Sequence, residues 1–126
     1  MSVLAIGADL VETARIRDIL QRRGRRLAER ILTSEELAQW DGRGSGAAFL
    51  ARRFAAKEAA AKALGTGIAQ GIRFLDLEVV NDPGGRPRLQ FHGAAAQAAQ
   101  QQGVTRAHLS ISDERGYALA MVVLEG

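Results

Sequence analysis

From the amino end, apolar residues recur in a two-residue rhythm: Leu4, Ile6, Ala8 and Leu10 fall on one side of the chain, Val3, Ala5, Gly7 and Asp9 on the other. That rhythm predicts a strand over Val3 to Val11, in which Asp9 follows a row of small side chains. From Thr13 the spacing becomes helical. Ile16, Ile19, Leu20 and, beyond Gly24, Leu27 and Ile31 share a face, which leaves Arg15, Arg22, Arg23 and Arg26 largely outward. Thr33-Ser34-Glu35-Glu36 matches a capping box ahead of Leu37 and Trp40, and predicts a short helix that the glycine-rich stretch Gly42 to Gly46 ends. Ala47 to Leu64 is the strongest helix of the chain, rich in alanine and free of glycine and proline, with Gly65 placed to close it.

Phe74 to Val80 alternates Leu75, Leu77 and Val79 against Asp76 and Glu78, and the turn residues Asn81 to Gly85 lead into a second strand around Arg88 to Phe91. Ala94 to Gln102 reads as a helix ending at Gly103. Two further strands, Arg106 to Ser112 and Tyr117 to Leu124, are joined at Asp113-Glu114-Arg115-Gly116. The order β-α-α-α-β-β-α-β-β predicts an α+β fold, an antiparallel sheet with helices packed on one face. No composition shift divides the 126 residues, so a single domain spanning 1–126 is expected.

Composition narrows the chemistry. With no cysteine, disulfides, thiolate metal sites and thiol nucleophiles are excluded, which leaves carboxylates, histidines and hydroxyls. The apolar start meets Asp9 well before a signal or membrane-spanning segment would be complete, so a cytoplasmic protein without membrane association is expected. The formal charge of +3 favours anionic partners, and it is unevenly placed. Between Arg15 and Arg30 stand seven arginines against Asp18 and Glu29, while the rest of the chain is near balance. Such a run suits a solvated face, a nucleic acid or an acidic protein; six aromatic residues in the whole chain offer few stacking platforms for single-stranded nucleic acid.

On the alanine-rich helix, Ala51, Ala55, Glu58 and Lys62 follow steps of four, three and four and therefore share a face. Glu58 and Lys62 alone read equally as an exposed helix pair, and Asp9 alone as a strand-end residue in a turn. Gly65-Thr66-Gly67 adds a flexible backbone with a hydroxyl directly after Lys62, a setting suited to phosphate oxygens.

The continuous string from Arg53 to Gly67 (RFAAKEAAAKALGTG) resembles the signature of the phosphopantetheinyl transferase family in its short, holo-acyl-carrier-protein synthase form. Gly7-Ala8-Asp9-Leu10-Val11-Glu12 followed by Arg15-Ile16 resembles the family's first motif, and Asn81 to Pro87 with the closing strands extends the likeness to nearly the whole chain. The resemblance implies transfer of 4′-phosphopantetheine from coenzyme A to a serine of acyl carrier protein, a step that supports fatty acid biosynthesis. It makes Asp9 and Glu58 the carboxylates for Mg2+ and gives Lys62 a catalytic contact to the coenzyme A phosphates. Arg53, Gly65, Thr66 and Gly67 become further cofactor contacts, with an exposed arginine or a structural ion pair as the alternative for Arg53. Arg15, Arg22, Arg23 and Arg26 become docking residues for the acidic carrier. A homotrimer with active sites between subunits is implied as well. A coenzyme A-binding scaffold without turnover remains open, as does the identity of the general base. Two positions depart from the pattern: Arg52 stands where glycine is often seen, and Asp113 follows Ser112 where many members carry histidine. His92 and His108 have no ligand-spaced partner and read as polar surface or capping residues.

Overall fold

The structure is a computed structural model that describes residues 1–126. The chain runs β1 (Val3–Glu12), α1 (Thr13–Arg23), α2 (Arg25–Ile31), α3 (Ser34–Gly42), α4 (Ala47–Ala63), β2 (Leu77–Asn81), β3 (Pro87–Phe91), α5 (Gly93–Gln101), β4 (Arg106–Glu114) and β5 (Tyr117–Glu125). The strands form antiparallel pairs in two sheets, β1-β5-β4 and the hairpin β2-β3. Side chains of β3 and β4 line a groove between the two sheets, so these strands lie side by side without joining their backbones.

The alanines of α4 explain the packing. Ala51, Ala55, Ala56, Ala59 and Ala60 are fully buried, and so are Ala118, Ala120, Val122 and Leu124 on the inner face of β5. Small side chains on both surfaces let helix and sheet approach closely, most of all at Gly7. A Cβ added there would lie 2.1 Å from the Ala59 carbonyl oxygen and 2.8 Å from the Ala63 nitrogen. The inward face of β1 is therefore the small one, with Gly7 and Val11 buried, while Ile6 and Leu10 are 70% and 62% exposed. Hydrophobicity alone points the other way; the backbone contact with α4 decides it.

Two further differences from the sequence pattern have local causes. The basic segment is two helices, because Gly24 takes φ 62° and ψ −150°, a backbone state outside the helical basin that glycine adopts without steric cost. Phe74–Asp76 is a single 3-10 turn ahead of β2, with the Asp76 carboxylate accepting from the Arg73 backbone N–H at 3.0 Å. At the far end, Arg115 and Gly116, both at positive φ, form the tight two-residue turn between β4 and β5.

The capping box at Thr33 is present, and its carboxylate does more than cap. Glu36 Oε1 accepts from Thr33 N–H at 2.9 Å and from Lys57 Nζ at 2.6 Å, while Oε2 accepts from Val79 N–H at 3.0 Å. Lys57 is wholly buried and donates also to the carbonyls of Ile31 and Phe74. Desolvation pulls its ammonium below the ordinary lysine value, against the opposing pull of Glu36. One buried ion pair thus ties α2, α3, α4 and the start of β2 together.

Candidate active site

The chain's chemistry gathers where β1 lies along α4. Gly7 fixes the contact, Asp9 follows two residues later on the same inward side, and Glu58 and Lys62 come from α4 one turn apart. Lys62 Nζ donates to Asp9 Oδ1 at 2.8 Å and to the Ala8 carbonyl at 3.2 Å. The pair is lopsided: the Asp9 side chain is 15% exposed and that of Lys62 51%. The hydrogen bond and charge of Asp9 hold Lys62 above its ordinary value. Glu58, half-buried, is also pushed up, first by desolvation and then by the negative charge of Asp9, with Lys62 offsetting only part. Glu58 thus feels the negative charge of Asp9 as well as the opposing charge of Lys62.

The turn after α4 is built differently from the expected phosphate cradle. Gly65 N–H donates to the Lys62 carbonyl, and the N–H groups of Thr66 and Gly67 both donate to the Ala61 carbonyl. The Thr66 hydroxyl donates to the Gly67 carbonyl at 2.8 Å. A helix carboxyl end has orphan carbonyls to satisfy and carries partial negative charge, so these donors are spent on the helix. Lys62 is left as the donor this segment can present to an anion.

Arg53 is placed as the structural alternative had it. Its side chain is 6% exposed, with Nη2 donating to Gln39 Oε1 at 2.9 Å and Nε 3.3 Å from Glu36 Oε2, off the line of a hydrogen bond. It nevertheless borders a shallow pocket together with Arg43, Arg52, Phe49, Asn81 and Ile111. The guanidinium groups of Arg53, Arg43 and Arg52 lie 4.6, 5.8 and 5.9 Å from the Phe49 ring centre. Sequence reasoning missed Arg43 and Phe49 as pocket members, since nothing in their spacing links them to the helix signature.

Arg15, Arg22, Arg23 and Arg26 are all exposed, as the helical pattern requires. Arg22, Arg23, Arg26 and Arg30 surround the half-buried Ile19 and Leu27 in a basic groove across the α1–α2 break. His92 pairs with Glu78 at 3.0 Å, and His108 pairs with Glu125 on the outer face of the sheet. Neither histidine borders the Asp9 cluster or the arginine pocket.

A family model described as the 4′-phosphopantetheinyl transferase superfamily matches residues 5–122. The chain belongs to this superfamily. Among its phosphopantetheinyl transferase relatives, the holo-[acyl-carrier-protein] synthase of Alkalilimnicola ehrlichii is 58% identical, over 98% of this chain and 97% of the relative. The crystal structure of holo-[acyl-carrier-protein] synthase from Neisseria meningitidis matches with a TM-score of 0.91 at 40% identity, covering 99% of this chain and 100% of that one. That of Bacillus anthracis, in complex with CoA (3′,5′-ADP), matches with a TM-score of 0.80 at 40% identity, covering 98% and 96%. The α+β architecture is that of the phosphopantetheinyl transferases. No helix is long and apolar enough to cross a membrane.

Proposed function

We propose that this protein transfers 4′-phosphopantetheine from coenzyme A to a serine of apo-acyl carrier protein and releases 3′,5′-ADP. The observation that carries the reading is the convergence of Asp9, Glu58 and Lys62 at one backbone contact, in a chain similar over its whole length to holo-[acyl-carrier-protein] synthases.

The residues fit a hard divalent cation. Asp9 and Glu58 offer oxygen ligands, and Glu58 is pushed up first by burial and then by the charge of Asp9, a setting that a bound cation would relieve. Two carboxylates suit Mg2+, which keeps waters and substrate phosphate as its other ligands. No third histidine or acidic residue joins them, as a closed structural site would require. Bound there, magnesium would supply charge neutralisation to the pyrophosphate of coenzyme A.

Lys62 has three ammonium protons, of which Asp9 and Ala8 take two, so the third is available to a phosphate oxygen. In the reaction the serine Oγ bonds to the β-phosphorus, the bond to the bridging oxygen breaks, and 3′,5′-ADP departs with that electron pair. The serine proton passes to one of the two carboxylates or to a water held beside them. The arginine pocket bordered by Arg43, Arg52 and Arg53 is assigned to the phosphate of the nucleotide end of coenzyme A.

Successive α4 residues turn by about 100°, so Arg53 and Glu58 point about 140° apart. Pocket and carboxylates are on different sides of the helix, which supports a site shared between copies. The outer sheet face supports the same assembly. Ile6, Leu10, Leu119 and Met121 stand together there, each at least 44% exposed, a patch of the kind that marks an interface between subunits. We assign it to a homotrimer, and a cytoplasmic location goes with this reading.

The carrier docks on the basic groove of α1 and α2, with Arg15 in the first turn of α1. Arg22→Glu with Arg26→Glu is expected to raise KM for acyl carrier protein roughly 10-fold while leaving kcat at saturating carrier unchanged. Kinetics at rising salt should show the parent losing its advantage; an unchanged KM would move the docking site elsewhere.

The reading itself is tested by intact-mass analysis of apo-acyl carrier protein after incubation with the protein, coenzyme A and Mg2+. A phosphopantetheine-sized gain that a chelator removes is the expected result. Binding of coenzyme A with no gain would reduce the protein to a scaffold.

A further inference from the structure

Arg52 and Asp113 are 61 residues apart in the chain and touch in space: Arg52 Nη1 donates to Asp113 Oδ2 at 3.0 Å, from α4 to β4. We propose that Arg52 furnishes to a phosphate monoester the donor that a histidine in place of Asp113 would furnish, and that Asp113 is a positioning residue that holds Arg52 over the pocket. The proposal deepens the coenzyme A reading of that pocket and rests on it.

The geometry argues for a relocated cation. A lone carboxylate at position 113 would repel an anion approaching the pocket rim. Paired with Arg52, its charge is cancelled, and the pair leaves four of the five guanidinium protons of Arg52 unspent by this contact. Asp113 on one side and the Phe49 ring on the other restrict where the guanidinium sits. Of its two neighbours, Arg53 is committed to Gln39 and Glu36. Arg43 makes no side-chain ion pair and sits on the loop before α4. The one carboxylate that lines the pocket, Asp82, is already paired with Arg88, and Asp113 reaches the pocket only through Arg52. The pocket is thus short of negative charge, and Arg52 is its one arginine both anchored by a surface carboxylate and still rich in free donors.

Arg52 and Asp113 are 30% and 50% exposed, so substitution at either leaves the core intact. The experiment compares coenzyme A with 3′-dephospho-coenzyme A in steady-state transfer, and by calorimetric binding to the same proteins. The parent is expected to favour coenzyme A. Arg52→Gly should raise its KM and Kd about 10-fold, the loss of one charge-assisted contact, with kcat and the values for the dephospho compound unchanged. Asp113→Ala should raise KM a few-fold. Combining Arg52→Gly with Asp113→His should restore most of the affinity and make KM climb as pH rises through the imidazole range, a dependence the parent lacks. Unchanged KM in both single variants, or a double variant no better than Arg52→Gly, would overturn the proposal. A parent that binds both compounds equally would overturn it by removing the pocket's assignment. Calorimetry keeps this separate from the transferase reading, since a chain that binds without turnover still reports the discrimination.

Discussion

Replacing Glu58 by glutamine is expected to abolish transfer, by on the order of 10³-fold or more, and to leave the metal-free protein at least as stable as the parent. The two effects share a cause. Burial and the charge of Asp9 raise the pKa of Glu58 in the fold, so its ionised form is less welcome there than in the unfolded chain. A carboxylate with a raised pKa costs nothing below its unfolded value of about 4.5 and costs increasingly as pH climbs past it, until the folded value is passed. Glutamine keeps the shape and removes that cost. In chelator, the melting temperature of Glu58→Gln minus that of the parent should therefore grow through the carboxylate range and level off above it. Magnesium should then raise the parent and spare the variant. A variant that melts well below the parent in chelator would assign Glu58 a structural duty in place of this one.

Lys57→Ala is expected to cost about 3–5 kcal/mol of folding free energy, the usual result of stripping one partner from a buried ion pair. All three protons of Lys57 are used, on Glu36 and on the carbonyls of Ile31 and Phe74, and no solvent reaches the ammonium. Its removal strands the Glu36 carboxylate, whose other contacts are the Thr33 and Val79 N–H groups and nearby Arg53. Against a typical total of about 5–15 kcal/mol, such a loss approaches unfolding. Adding Glu36→Gln should recover part of it, because the stranded charge goes too. Denaturant titration at one fixed protein concentration measures both variants, and a loss under about 1 kcal/mol would show the pair to be dispensable.

Much of this was legible in the chain. The capping box placed α3, the run without glycine or proline placed α4, and the GADLVE and KEAAAK strings contain the two carboxylates proposed to hold the cation. What stayed hidden was three-dimensional. Leu50, Phe54, Ala61 and Leu64 make an apolar stripe whose polar member is Lys57, yet a lysine beside a glutamate reads as surface until its partner, 21 residues away, is in place. Arg53 read alike as a phosphate contact, an exposed arginine or a structural ion pair, because the helix alone does not show Gln39 and Glu36 closing over it. The amides of Gly65 to Gly67 looked free because a glycine-rich turn is equally a cradle and a helix cap, and only the bonds to the Lys62 and Ala61 carbonyls distinguish them. Which face of β1 turns inward was ambiguous for the same reason: alternation has two sides, and the larger side chains were on the outer one.

The missing Cβ at Gly7 gives the active site an unusual kind of ruler. Because the β1 backbone touches the α4 backbone with no side chain between them, the distance from which the Asp9 and Glu58 side chains start is set by main-chain atoms, and only their own rotamers remain to be adjusted. On the proposed reading, a cation arriving there meets two stretches of backbone that are already in place. Its capture should resemble filling a socket, with a heat-capacity change near zero and little altered protection of backbone amides, in contrast to small zinc domains, where metal and fold arrive together.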